Sequence, residues 1–136
     1  NPGIKVKRYQ RMAVVIDTSG SVDDESLSAF FSEIHGMWRN GAEIIVIECD
    51  AEVQRTYSYA GKTPEEVAGR GGTAFDPAFE YLWERRKREI LDGCIYLTDG
   101  WAASPEVKPP CKLLWVLTPD STDEYLRFGS SVKLDY

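Results

Sequence analysis

Four strand-length apolar runs decide most of what this chain can fold into: residues 12–17, 43–49, 94–98 and 112–118. The first reads Met12-Ala13-Val14-Val15-Ile16 ahead of Asp17, without the alternation of a strand that has one wet face. A strand apolar along its length must be covered on both sides, as in a parallel sheet. Helical patterns lie between the runs. Leu27, Phe30, Phe31, Ile34, Met37 and Trp38 recur at helical spacing behind Asp23 and Asp24, and Asn40-Gly41 closes that segment. Phe79, Leu82, Trp83 and Ile90 supply the inner face of a second helix, which Asp76 caps and Pro77 opens. On this reading Trp38 and Trp83 belong to the core.

The remaining segments are shorter. Val53, Arg55, Tyr57 and Tyr59 alternate with polar residues, which predicts an antiparallel edge strand with one face in water. Thr63-Pro64-Glu65-Glu66 predicts a short helix with Thr63 as its cap, another is expected around residues 122–127, and a last strand around 131–134. Residues 1–11 read as a linker or an added edge strand, and residues 12–136 as one domain. The fold class is α/β: a three-layer, doubly wound, mostly parallel sheet with one antiparallel edge strand. Right-handed crossovers put the strand-to-helix loops on one rim, where such sheets bind ligands near the switch in strand order.

Composition excludes several functions. At 136 residues the chain fits a single domain. A net charge of −6, from 22 acidic and 16 basic residues, argues against a nucleic-acid surface. The basic clusters, Lys5, Lys7, Arg8 and Arg11 and then Arg85-Arg86-Lys87-Arg88, read as a solvated tail and a solvated helix face. The apolar runs are too short to span a membrane. Cys49, Cys94 and Cys111 cannot all pair and lie in or beside strands, so buried, reduced thiols and a cytoplasmic setting are expected. The chain starts at Asn1 without a signal-peptide pattern, which reads as a processed product or an excised part of a longer protein. His35 is the only histidine and has no acid or nucleophile placed beside it, so no catalytic role is assigned to it.

The rim itself carries oxygen donors. Asp17-Thr18-Ser19-Gly20-Ser21 follows the first strand, Gly71-Gly72-Thr73 lies in a glycine-rich loop, and Leu97-Thr98-Asp99-Gly100 ends the third buried strand. Taken singly, the hydroxyls are helix caps and the acids are strand ends. Together, Asp17, Ser19, Ser21, Thr73 and Asp99 offer two carboxylates and three hydroxyls, a hard-oxygen set that suits Mg²⁺, whereas zinc would ask for His or Cys. Asp50 reads as a turn residue, or as one that touches the groups around the ion. Asp76 reads as a cap before a ligand. Trp101, directly after Asp99-Gly100, reads either as an anchor for a partner or as packing over the adjacent helix.

These segments resemble the von Willebrand factor A (VWA) domain and its metal-ion-dependent adhesion site, which is Asp-x-Ser-x-Ser, then a Thr, then an Asp on three successive loops. All five positions match here, as Asp17, Ser19, Ser21, Thr73 and Asp99. Val15-Ile16-Asp17-Thr18-Ser19-Gly20-Ser21, Cys49-Asp50-Ala51-Glu52-Val53 and Gly72-Thr73-Ala74-Phe75-Asp76-Pro77 are similar to the bacterial VWA-like domain found C-terminal to a metallopeptidase-like region. The resemblance implies a non-catalytic, Mg²⁺- or Mn²⁺-dependent surface that engages an Asp or Glu of a protein partner, in bacteria often within AAA+ ATPase systems. A rival reading is a Mg²⁺-dependent phosphoryl-transfer enzyme with Asp17 as nucleophile, although haloacid-dehalogenase-like phosphatases carry a second Asp where this chain has Ser19. A third is a structural VWA-like domain that uses no metal.

Overall fold

The apolar runs do become buried strands, and their register sets the rim. The structure, a computed structural model, describes residues 10–136. Its elements are β1 (Arg11–Asp17), α1 (Asp24–Arg39), β2 (Glu43–Cys49), β3 (Val53–Ser58), α2 (Asp76–Arg86), β4 (Gly93–Thr98), β5 (Leu113–Leu117) and β6 (Ser130–Lys133). They form a six-stranded sheet in the order β3-β2-β1-β4-β5-β6. Only β3 runs antiparallel, on β2, as its alternating pattern predicts. The chain leaves β1 toward β2 on one side and later returns to place β4 on the other. The switch in strand order therefore falls at β1, and Asp17 is its last residue. Expectations for Lys5, Lys7 and Arg8 lie outside the described residues.

Each face of the sheet has its own core. On one, Val14, Ile16, Val46 and Leu97 pack with Phe30, Phe31 and Ile34 of α1. On the other, Val15, Ile47, Tyr96 and Trp115 pack with Phe75 and with Phe79 and Leu82 of α2. The second face is largely aromatic: Tyr96 stacks on Trp115 with centroids 5.0 Å apart, and Phe75 meets Trp115 edge-on at 4.8 Å. Both faces are thus covered, which is why β1, β2 and β4 tolerate no polar alternation. Among the described residues no helix is long and apolar enough to cross a membrane.

Several expectations are corrected. Residues 63–66 form no helix; the segment between β3 and α2 has bends only. Thr63-Pro64 resembles a helix start, but only Val67 and the small Ala68 follow as apolar residues before Gly69, too little to offset helix nucleation. Residues 122–127 make a single turn, closed by Leu126 N–H donating to Asp123 O at 3.2 Å, and no helix. Trp38 and Trp83 are not core residues: they are 37% and 43% exposed. Trp38 leans on His35 and Tyr59, and the Trp83 indole N–H donates to Lys108 O at 2.7 Å. Ile90 lies beyond the end of α2 and is exposed. Asp76 does not cap α2; Phe75 holds that position without a side-chain bond. Asp76 is the first helical residue, and its Oδ1 accepts the N–H groups of Glu106 and Val107 at 2.9 and 3.0 Å, tying down the loop before β5. Asp23, by contrast, caps α1 as expected, accepting Ser26 N–H at 2.8 Å. The basic run at the end of α2 is partly engaged, with Arg85 paired to Glu89 and Lys87 to Glu84.

Candidate functional site

Parallel pairing of β1 with β4 aligns Ile16 with Leu97, so Asp17 ends level with Thr98, and Asp99 follows one step further on. The consequence is a chain of oxygen contacts along the carboxyl rim. Asp17 Oδ1 accepts Ser19 N–H at 2.9 Å, and Asp17 Oδ2 accepts the Thr98 hydroxyl at 2.5 Å. Ser19 Oγ and Ser21 Oγ lie 3.2 Å apart, and the Ser21 hydroxyl donates to Asp99 Oδ2 at 2.7 Å. Thr98 is a member of this chain that sequence reading missed. It sits at the end of β4 directly before Asp99, and only the register shows that it faces Asp17.

Both acids are withdrawn from water: Asp17 is 0% exposed and Asp99 6%. Burial pushes the Asp17 carboxyl above the usual carboxylate range, with the nearby Asp99 charge adding to it and the bonds from Ser19 and Thr98 opposing it. Among the described residues neither acid has a Lys or Arg partner. Nor do three or more His, Cys, Asp or Glu side chains converge anywhere among them. The donor set here is two carboxylates with neutral hydroxyls.

Thr73 comes from an irregular loop laid against the Asp17–Ser21 turn. Arg70 N–H donates to Thr18 O at 2.7 Å, and Gly20 N–H donates to Gly71 O at 2.9 Å. The approach is close enough that a Cβ on Gly69 would lie 2.4 Å from Thr18 Oγ1, and one on Gly71 2.9 Å from Asp50 Oδ2. Thr73 itself is half-buried, and among the described residues its hydroxyl makes no hydrogen bond. The structure thus joins Asp17, Ser19, Ser21 and Asp99 directly, and brings the loop of Thr73 alongside them.

Asp50 organises that loop. Its Oδ2 accepts Gly71 N–H at 3.0 Å, its Oδ1 accepts Glu52 N–H and the Gln54 amide, and its carbonyl accepts Ala74 N–H at 3.1 Å. Burial raises the Asp50 carboxyl, yet the bonds from Gln54, Glu52 and Gly71 outweigh it and leave the group below its ordinary value. Glu48, two residues earlier, was not singled out from sequence because it sits inside an apolar run. It is 0% exposed and accepts Arg55 twice, Tyr57 Oη at 2.7 Å and Ala68 N–H at 2.7 Å. Trp101 is 56% exposed; its backbone N–H donates to Asp99 Oδ1 at 3.2 Å and its ring lies 6.3 Å from that of Tyr125. Asp76 is engaged with residues 106 and 107 and makes no bond to this group.

Comparison with known proteins agrees with the architecture. The model of the VWA-like domain family (DUF2201) matches residues 12–135. An uncharacterised protein of Thermotoga maritima is 32% identical over 129 residues, which is 93% of this chain and 31% of that protein. The chain therefore spans about a third of the length of that relative. No solved structure matches the chain. A mostly parallel six-stranded sheet with its oxygen-rich rim at β1 and β4, matched over nearly its whole length, places this chain in the VWA-like domain family.

Proposed function

We propose that this domain is a metal-dependent protein-binding module, in which Asp17, Ser19, Ser21, Thr73 and Asp99 hold a Mg²⁺ or Mn²⁺ ion that engages a carboxylate of a protein partner. The observation that carries the reading is a pair of buried carboxylates, Asp17 and Asp99, linked through Ser21 and Ser19 and lacking a cationic side chain among the described residues. Buried charge is costly unless it is compensated, and a divalent cation compensates two carboxylates. The all-oxygen donor set fits a hard ion.

When bound, the ion supplies a Lewis-acidic position for an outside carboxylate. This chain's residues do the rest. Asp17 and Asp99 carry the charge, directly or through water, and Ser19, Ser21 and Thr73 add neutral oxygens that leave the ion with affinity for a further anion. Trp101, exposed beside Asp99, is a natural apolar contact for the partner. A protein of an AAA+ ATPase system is the partner class we favour. The greater length of the Thermotoga maritima relative supports a domain of a larger bacterial protein; a peptidase-like region ahead of it and a cytoplasmic setting are part of the same proposal and rest on the family resemblance.

The phosphoryl-transfer reading is served less well. Ser19 stands where haloacid-dehalogenase-like phosphatases carry a second acid, and among the described residues neither rim acid has a cationic side chain beside it to hold a phosphate. The deciding experiment is calorimetric titration with Mg²⁺ and Mn²⁺. Wild type is expected to bind and Asp17→Ala to lose binding; no heat from wild type at millimolar metal would remove the basis of the proposal. Robust phosphatase turnover abolished by Asp17→Asn would replace it with the enzyme reading.

A further inference from the structure

Arg70 occupies the left-handed region, with φ +73°, between Gly69 and Gly71. A side chain is penalised there and glycine or asparagine is the usual occupant, so an arginine asks for a reason. Its contacts supply one. The Arg70 N–H donates to Thr18 O at 2.7 Å, and its Nη2 donates to Val22 O at 2.7 Å. Between those two points the next residue's carbonyl, Gly71 O, accepts Gly20 N–H at 2.9 Å. The loop therefore grips residues 18, 20 and 22 of the turn, every second one. The residues left between them are Ser19 and Ser21, with Asp17 just ahead, and these three make the chain of contacts that leads to Asp99.

We propose that Arg70 is a positioning residue for the rim site: its left-handed backbone and its guanidinium together staple the Asp17–Val22 turn at both ends, so that the alternate side chains converge. The inference rests on the metal-binding reading above. The strain is tied to function because the left-handed turn presents the N–H to Thr18 and the side chain to Val22 at once. Asparagine at this position keeps the backbone and loses the grip on Val22. Val22 is closed to solvent in the core under α1, so its carbonyl is a fixed point for the guanidinium to hold.

The test compares wild type, Arg70→Asn and Arg70→Lys in three measurements: Mn²⁺ titration, thermal unfolding in EDTA, and amide exchange at Gly20. Arg70→Asn tolerates the backbone angle, so its unfolding midpoint is expected to stay within about two degrees of wild type. Its Mn²⁺ affinity is expected to fall roughly threefold to tenfold, with faster exchange at Gly20. Arg70→Lys, which still donates from a cation, is expected to recover most of the affinity. Wild-type Mn²⁺ affinity in Arg70→Asn overturns the proposal. So does a loss of affinity that merely follows a fall in midpoint and that lysine does not rescue. Failure of wild type to bind Mn²⁺ is a different result: it overturns the metal reading and with it the site role of Arg70, and Gly20 exchange then decides whether the staple exists.

Discussion

The two halves of the rim are built by different means. Ser19, Ser21 and Asp99 are joined side chain to side chain and Asp17 through the Ser19 N–H, and their placement follows from the register of β1 on β4. The Thr73 half has no such bonds. Its loop is held mostly through backbone groups, at Ala68 by Glu48, at Gly71 and Ala74 by Asp50 and at Arg70 by Thr18, with the Arg70 guanidinium on Val22 O as the side-chain contribution. The first half is therefore as rigid as the sheet. The second is as rigid as its anchors at the end of β2. Affinity for a cation and stability of the fold should separate along this line, and four substitutions or conditions test whether they do.

The largest effect is expected in the first half. Asp17→Ala should lower Mn²⁺ affinity by about a hundredfold or more, because half of the site's formal charge is lost. In EDTA the same substitution should cost about 1–2 kcal/mol: it leaves Ser19 N–H and the Thr98 hydroxyl without their acceptor, but it also removes a carboxylate whose ionised form is disfavoured by burial and, to a lesser degree, by the Asp99 charge. Calorimetry and urea unfolding of one sample separate the two effects.

Glu48→Ala strikes the anchors instead. It would leave the Tyr57 hydroxyl and the Ala68 N–H without their acceptor, at a cost of about 3 kcal/mol in unfolding free energy. Arg55, whose side chain is 42% exposed, can turn to water and adds little. Mn²⁺ affinity should fall more modestly, by roughly tenfold at most, since Glu48 touches the loop and none of the proposed ligands. An affinity that falls as far as in Asp17→Ala would mean that the halves are not separable.

This division also explains what could be read from the sequence. Strand runs and the helix α1 were legible because burial on both faces leaves no polar alternation, and because Asp23 and Asn40-Gly41 mark the ends of α1. The rim acids followed from parallel topology. What failed were judgements that need tertiary contacts. Thr63-Pro64 looks the same before a helix and before an irregular loop, and here anchors at Glu48 and Asp50 claim the following backbone. Asp76-Pro77 has the form of a cap, but the carboxylate is drawn to the amides of residues 106 and 107. Trp38 and Trp83 fit helical apolar spacing, yet each lies at the margin of its helix's buried face. Glu48 was hidden for the opposite reason: a charge within an apolar run gives no local sign of the three partners that satisfy it.

Alkaline pH should loosen the anchored half through a thiol sealed beneath it. Burial pushes the Cys49 thiol up to about 12 from an ordinary 9.0, and its S–H points to Asp50 O and Ala74 O. Burial, and then the bond to Glu48, push the Tyr57 phenol up as well. A group with a raised folded pKa contributes stability that is complete below its unfolded value and is lost as pH rises through the folded one. For Cys49 the window runs from pH 9.0 to about 12. The urea midpoint should decline across that window, and Cys49→Ala should flatten part of the decline, the remainder coming from Tyr57 and the buried Cys94. A midpoint that is flat to pH 11 would show that Cys49 is not sealed beneath the loop.

The smallest effect is the most diagnostic. Thr73 is half-buried and its hydroxyl has no hydrogen-bond partner among the described residues, so Thr73→Ala should change unfolding free energy by no more than about 0.5 kcal/mol. If the hydroxyl is a neutral ligand, Mn²⁺ affinity should still fall roughly threefold to tenfold, and Thr73→Ser, which keeps the oxygen, should restore it. Loss of affinity without loss of stability would place Thr73 in the site while its loop serves only to carry it there. Wild-type affinity in Thr73→Ala would remove the loop from the site. The cation would then belong to the β1–β4 half alone, and the anchors at Glu48 and Asp50 would be explained by folding rather than by binding.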